Sequence, residues 1–404
     1  MISYPEPEVA SYVQRLKSLE EDDLSSLRSM MSRAVKDQVS PGVRLWVGID
    51  PQSDGGYAAE VEVGEGALSY AEDSPESAPD TLYDLASLTK PLAAALWFGS
   101  LVSEGALDPQ TPLGELVPCE DRMLAQAPVW RLLNHSSGLP AHFAYYRGLS
   151  GARLSGAPPE RCRKTVRRMI SATSTQIIPG ERSIYSDLGY LMLEFACERV
   201  SGQTLSDFWS ALALKSSLHF RPLHALNTAD VESLPPETAS AYAPTERCPW
   251  RHRVLTGEVH DGNAWLMGGV CGHAGLFGNA RDVGLLAGGW MSAFHGQESA
   301  LPLSAQVTQW MLQLKHRAPQ RSSFVLGWDT PSVGYSSAGQ GFGRLSIGHL
   351  GFTGTSLWMD LERRVVMVLL TNRVHPDRHT AASIHGIRRL RPQIHNEVWR
   401  LLRA

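Results

Sequence analysis

What the chain lacks narrows its function first. No window of the 404 residues approaches the roughly 18 to 20 unbroken apolar positions of a membrane-spanning helix. The opening stretch, MISYPEPEVASYVQRLKSLEEDDL, has no apolar segment behind a basic one, so it does not read as a secretory leader and a cytoplasmic location is expected. A chain trimmed at its start would move that expectation to the periplasm. No run of Lys and Arg stands out and the formal net charge is -4, which argues against nucleic acid or an anionic membrane as partner. There is no C-x-x-C pair. The five cysteines, Cys119, Cys162, Cys197, Cys248 and Cys271, are scattered and read as isolated small hydrophobes. G-x-S-x-G is missing, which removes the nucleophile elbow of an α/β-hydrolase. H-E-x-x-H and any tight Cys/His set are missing too, so neither a metal nor another cofactor is expected. Internal repeats and low-complexity tracts are also absent.

What remains is an ordinary globular composition, 43% hydrophobic and 19% charged. The length favours two lobes over one core. Apolar spacing at Val9, Val13, Leu16 and Leu19 predicts helix over about 7–37. Beyond Pro41-Gly42, the runs GVRLWVGID and YAAEVEV predict an antiparallel hairpin. A helix is expected to begin near Asp84, with that residue as N-cap, and to run to Gly105. The middle of the chain reads as helices broken by Pro/Gly loops. RLSIGHLG, TSLWMDL and RRVVMVLLTN then read as strands. Strands at both ends with helices between them imply an α/β fold of the α+β type: an antiparallel sheet flanked by helices, with an all-helical lobe inserted. The sheet lobe is placed at 1–100 and 270–404 and the helical lobe at 101–269, with the active site in the cleft between them.

Three short motifs carry chemistry. In Ser87-Leu88-Thr89-Lys90, residues three apart share a helix face, so the Ser87 hydroxyl and the Lys90 amine can meet. Serine needs a neighbouring base, and lysine serves as one only when its charge is suppressed. Tyr185, in Tyr185-Ser186-Asp187, offers a phenol that a nearby cation would acidify. In GHLGFTGT, from Gly348 to Thr355, glycines allow close approach of a strand edge and leave amides free to hold an oxyanion. His349 there offers a cationic or hydrogen-bonding edge.

The order S-x-x-K, Y-x-(N/D), (K/H)-x-G is the serial signature of penicillin-recognising serine enzymes. Together with YDLASLTKPLA, RLLNHSSGLP, PGERSIYSDLGYLMLE, the stretch from Val259 to Phe277 and GHLGFTGTSLWMDLERRVVMVLLTN, it makes the chain from about Asp23 onward resemble the class C β-lactamase-like serine hydrolases. Relatives of that family include D-alanyl-D-alanine carboxypeptidases, D-aminopeptidases and esterases. The resemblance implies Ser87 as nucleophile, Lys90 as its activator and Tyr185 as proton shuttle. The backbone amides of Ser87 and Phe352 would form the oxyanion hole. Asp187, His349, Gly351, His142 and Asn263 would line the substrate, a small molecule or peptide. Asn263 and Asp261, in HDGNAW, also suit hydrogen bonds that hold a loop.

Two positions depart from the β-lactamase form. His349 stands where lysine is usual, which weakens recognition of a substrate carboxylate or makes it pH-dependent. Asp187 stands where asparagine is common. A carboxylate some 4 Å from Lys90 attracts it by about 4 kcal/mol at an effective dielectric near 20, which holds the amine charged and shifts the base role to Tyr185. The expected activity is hydrolysis of an amide, lactam or ester carbonyl through an acyl-enzyme, of β-lactamase or D-alanyl carboxypeptidase type. A carboxylesterase, or a penicillin-binding sensor with little turnover, stands beside it. Oligomeric state is not legible.

Overall fold

The run from Val365 to Thr371 dictates the layering. Every residue in it is buried, yet it divides by parity. Val366, Val368 and Leu370 join one apolar cluster, while Val365, Met367 and Leu369 join another. Successive side chains of a strand point to opposite faces, so such a run belongs at the centre of a sheet covered on both sides. The structure, a computed structural model, describes residues 6–223, 241–317 and 322–404. It has that sheet. Its strands are β1 (Gly42–Pro51), β2 (Tyr57–Gly66), β3 (Ser346–Leu350), β4 (Ser356–Asp360) and β5 (Val365–Thr371). Their order is β2-β1-β5-β4-β3, with all neighbours antiparallel.

The expected hairpin is present, with Gly42 opposite Gly66. β1 then pairs with β5 from the far end of the chain, Val43 opposite Thr371 and Ile49 opposite Val365. Six helices cover the sheet or carry the site: α1 (Glu6–Lys17), α2 (Ser25–Lys36), α3 (Leu96–Ser103), α4 (Asp187–Ser201), α5 (Ala280–Phe294) and α6 (Ala381–Arg403). One sheet face is covered by α1, α2 and α6 through Leu16, Met31, Ile394 and Trp399. The other is covered by α5 through Val283, Ala287 and Trp290, and this cluster continues into the helical residues of the middle of the chain.

Two local expectations are corrected. The helix expected over 7–37 is two helices. The acidic stretch Glu20–Asp23 makes a turn between them, in which the Asp23 carboxylate accepts the Glu20 amide, so that Leu16 and Leu24 can both reach the core. The helix expected from Asp84 begins instead at Ala86. It starts as a 3-10 turn (Ala86–Leu88), passes through a π turn (Lys90–Ala95) and becomes α-helical only in α3. Asp84 is not its N-cap, because it lies in a two-residue strand, Tyr83–Asp84, paired with Gly278 and Phe277. The wider π turn accommodates Pro91, which has no N–H to give.

Because Leu369 is fully buried at the centre of the sheet, Leu369→Ala is expected to destabilise the protein by about 2–5 kcal/mol. Urea unfolding measures this as a lowered midpoint at unchanged slope.

Candidate active site

Ser87 sits on a pinned and strained turn. The preceding Ala86 has φ 48°, in the left-handed region that costs a non-glycine residue about 1–2 kcal/mol. The Asp84 carboxylate holds it there: one oxygen accepts the Ala86 amide at 2.8 Å, the other the His260 amide at 2.7 Å. The end of β3 is laced to the same turn. Thr353 Oγ1 donates to the Asp84 carbonyl at 2.7 Å and Thr355 Oγ1 to the Leu85 carbonyl at 3.1 Å. Gly351 is glycine for close approach, since a Cβ there would lie 1.9 Å from Thr355 Oγ1 and 2.8 Å from the Leu85 carbonyl oxygen. The lacing brings the Phe352 backbone beside Ser87. Among the described residues, neither the Ser87 nor the Phe352 amide has an assigned acceptor, which is what an oxyanion needs.

Lys90 is fully buried. Its Nζ donates to Ser87 Oγ at 3.1 Å, to Asp187 Oδ1 at 2.7 Å and to the His273 carbonyl at 3.2 Å. An ammonium has three hydrogens, and each has an acceptor. Burial opposes the charge, but the Asp187 carboxylate and then the Tyr185 oxygen outweigh it, so the Lys90 pKa is raised. Burial opposes charge on Asp187 as well. The Lys90 ammonium and the hydrogen bond from His142 overcome it and hold that carboxyl far below its usual range. His142 Nδ1 lies 3.1 Å from the second Asp187 oxygen, and this contact raises the His142 pKa against burial.

The Tyr185 ring lies 4.9 Å from Lys90 Nζ, and its hydroxyl is within hydrogen-bonding influence of both Lys90 and Ser87. Burial raises its pKa, the Lys90 cation pulls it back and Asp187 pushes it up again, leaving it above the ordinary phenol value. His135 positions this ring. It packs against Tyr185 at 4.4 Å between centroids, its carbonyl accepts the Ile184 amide at 2.8 Å, and its Nδ1 accepts the Ser186 amide at 3.0 Å. Burial, then Lys90 and His349, push the His135 pKa well down, so the ring is neutral with its hydrogen on Nε2.

His349 is buried beside Tyr185, 5.9 Å between centroids. Burial first and Lys90 second press its pKa to about 3. Its Nδ1 contacts the Leu350 carbonyl at 3.0 Å, so Nδ1 carries the hydrogen and Nε2 is an acceptor. The cationic edge expected at His349 is therefore absent near neutral pH, because desolvation forbids it. Of the two readings offered for Asn263, its contacts favour the loop-holding one. It is fully buried, with Nδ2 donating to the Phe143 carbonyl at 2.7 Å and Oδ1 accepting the Tyr146 amide at 3.2 Å. Both ends of its amide are engaged, so it holds the 143–146 loop.

Two cavities, about 290 and 750 Å³, open on either side of Ser87, and each has Ser87, Tyr185 and Phe352 in its wall. His142 and Asp187 line the smaller one, His349 and Gly351 the larger. Sequence reasoning missed His135 and His273, the latter contributing its carbonyl to Lys90 and Nε2 to Asp261 at 2.8 Å. It missed Phe324 as well, whose ring packs against His135 and Tyr185. No spacing rule could link Lys90 to a carbonyl 183 residues away. The five cysteines are free and four are buried, as their scatter implied. No helix among the described residues is long and apolar enough to cross a membrane.

Comparison with known proteins gives a consistent result. A family model described as Beta-lactamase matches residues 27–389. A Salmonella agona protein named "Putative D-alanyl-D-alanine carboxypeptidase" is 29% identical over 327 residues, covering 73% of this chain and 70% of the relative. Among solved structures, the octameric penicillin-binding protein homologue from Pyrococcus abyssi superposes with TM-score 0.62 at 20% identity, over 90% of this chain and 77% of its own. EstCE1, described as a hydrolase with promiscuous acyltransferase activity, superposes with TM-score 0.62 at 16% identity, over 98% and 100%. At these identities the superpositions speak for fold.

His135→Ala leaves the buried Ser186 amide without its acceptor and is expected to cost about 1–3 kcal/mol. His135→Asn, which keeps an acceptor oxygen and tolerates the φ of 60° at this position, is expected to cost less. Urea unfolding of both variants measures the difference.

Proposed function

Because the chain belongs to the Beta-lactamase family, we propose that it is a serine hydrolase that opens an amide, lactam or ester carbonyl through a covalent acyl-enzyme on Ser87. One observation carries this reading: Ser87 Oγ, Lys90 Nζ and the Tyr185 hydroxyl meet at one place, on a cleft large enough for a substrate on both sides of the nucleophile. The name of the Salmonella relative favours a D-alanyl-type peptide as substrate. The EstCE1 likeness keeps a carboxylesterase as the second reading.

The protons follow from the hydrogen bonds. Lys90 donates to Ser87 and is held charged by Asp187, so it cannot take the serine proton. That proton goes to Tyr185, whose competent form is the phenolate beside the Lys90 ammonium. Ser87 Oγ bonds to the carbonyl carbon, and the oxyanion is received by the Ser87 and Phe352 amides. Tyr185 passes the proton to the leaving group as its bond to carbon breaks. Water then attacks the acyl-enzyme, Tyr185 takes its proton and returns it to Ser87 Oγ, and the acid is released. Each step leaves Tyr185 as it began.

Exposing the protein to a panel of lactams and p-nitrophenyl esters is expected to give an acyl adduct on Ser87 by intact mass. Ser87→Ala is expected to abolish the adduct and lower turnover by roughly 10⁴-fold or more; full activity in that variant would sink the reading. Asp187 raises the pKa of both Lys90 and Tyr185, so removing its charge lowers both. The acid limb of the kcat/KM profile is therefore expected to move to lower pH in Asp187→Asn. An unmoved limb would show that Tyr185 is not the base.

A further inference from the structure

The larger cavity is cationic for a reason the acyl-transfer steps do not use. Its wall holds Arg373, just beyond β5, together with Arg388 and Arg391 of α6. Arg373 and Arg391 are more than nine-tenths buried. Among the described residues none of the three forms an ion pair with a carboxylate, in contrast to the buried Arg251, which pairs with Glu258. The one acidic residue in the wall is Asp329, and its carboxyl is engaged by the Thr330 amide, by Ser323 and by the charge of Arg317. Burying guanidinium groups together without a counter-charge is costly. The cost shows in their titration: burial and Arg388 press Arg373 to about 10, and burial and Arg373 press Arg391 to about 9. Both are still charged near neutral pH.

Their hydrogen bonds say which are free. Arg391 Nη2 donates to the carbonyls of Gly351 at 3.0 Å and Thr355 at 2.8 Å, so it braces the turn that carries Phe352. Arg373 Nη1 donates to Ser383 Oγ at 3.2 Å, and its guanidinium lies 4.8 Å from the centre of the Phe352 ring. That leaves its remaining edge toward the cavity. Arg388 is exposed and has no side-chain acceptor among the described residues. Two guanidiniums are therefore available in the wall that also holds Ser87, and His349 in that wall, pressed to a pKa of about 3 by burial and Lys90, supplies no charge.

Resting on the hydrolase reading, we propose that the larger cavity receives a part of the substrate that carries two negative charges, a dicarboxylate or a phosphoryl monoester, held by Arg373 and Arg388. A planar guanidinium pairs with either group through two parallel hydrogen bonds. Two such forks with no counter-ion among the described residues match a dianion better than a single carboxylate. Arg391 acts as a positioning residue, fixing the turn on which the Phe352 amide and the Arg373-packed ring both lie.

The test is calorimetric titration of the full chain at pH 8 with glutarate, phenyl phosphate, butyrate and butyramide. Glutarate, phenyl phosphate or both are expected to bind at least tenfold more tightly than butyrate, and butyramide more weakly still. Which dianion wins tells a dicarboxylate from a phosphoryl group. Arg388→Gln, at an exposed position, and Arg373→Gln are each expected to cut dianion affinity about tenfold and so to narrow the gap to butyrate. Equal binding of butyrate and the dianions, no binding of either dianion, or dianion affinity unchanged in a folded Arg388→Gln protein would overturn the proposal. Hydrolysis of p-nitrophenyl acetate, followed in parallel, separates the two ideas. No turnover with dianion binding intact counts against the hydrolase reading alone, and turnover without charge preference counts against the dianion site alone.

Discussion

The site depends on one buried ion pair. Lys90 is fully enclosed, and an ammonium there without a partner would lose its proton. The Asp187 carboxylate at 2.7 Å keeps it charged, and the ammonium in turn keeps Asp187 ionised. The pair fixes more than charge. With its other hydrogens on Ser87 Oγ and the His273 carbonyl, Lys90 ties the turn bearing Ser87, the start of α4 and the 271–274 segment to one nitrogen. Three stretches from different parts of the chain are thereby registered to within a hydrogen bond. The same contacts underlie the acid–base roles proposed above, since a lysine whose three hydrogens all have acceptors is not placed to take a proton.

A second set of contacts registers the sheet against that cluster. The carbonyls of Asp84 and Leu85 accept the hydroxyls of Thr353 and Thr355, so the end of β3 cannot drift from the turn bearing Ser87. The left-handed backbone at Ala86 and the missing Cβ at Gly351 are the local costs of this close approach. They are offset by the hydrogen bonds on either side and by the two-faced core around β1 and β5. The candidate site lies where the sheet edge, covered by helices on both faces, meets a helical segment whose first turns are wound irregularly.

The fold is legible where a pattern has one physical reading. A seven-residue apolar run rich in β-branched residues, with two others before it and a hairpin far upstream, calls for a sheet closed from both ends, and β1 pairs with β5 accordingly. Over 7–37 periodicity misleads, because it is blind to the turn that Glu20–Asp23 makes. At 84–105 the start of the helix misleads, because Asp84 looks like a cap, and only the pairing of Tyr83–Asp84 with Phe277 and Gly278 shows it to be strand.

The same division runs through the site. Residue types in their serial order singled out Ser87, Lys90, Tyr185 and Asp187 through the family resemblance they carry, and the contacts of Lys90 do bring the four together. The tertiary structure alone decided how each is used. His349 is neutral because desolvation, which no residue type records, outweighs its intrinsic affinity for a proton. Asn263 holds a loop because the Phe143 carbonyl and Tyr146 amide lie against it. His135, His273 and Arg373 reach the site from stretches far from Ser87 in the chain, and contacts of that kind arise only when the elements pack.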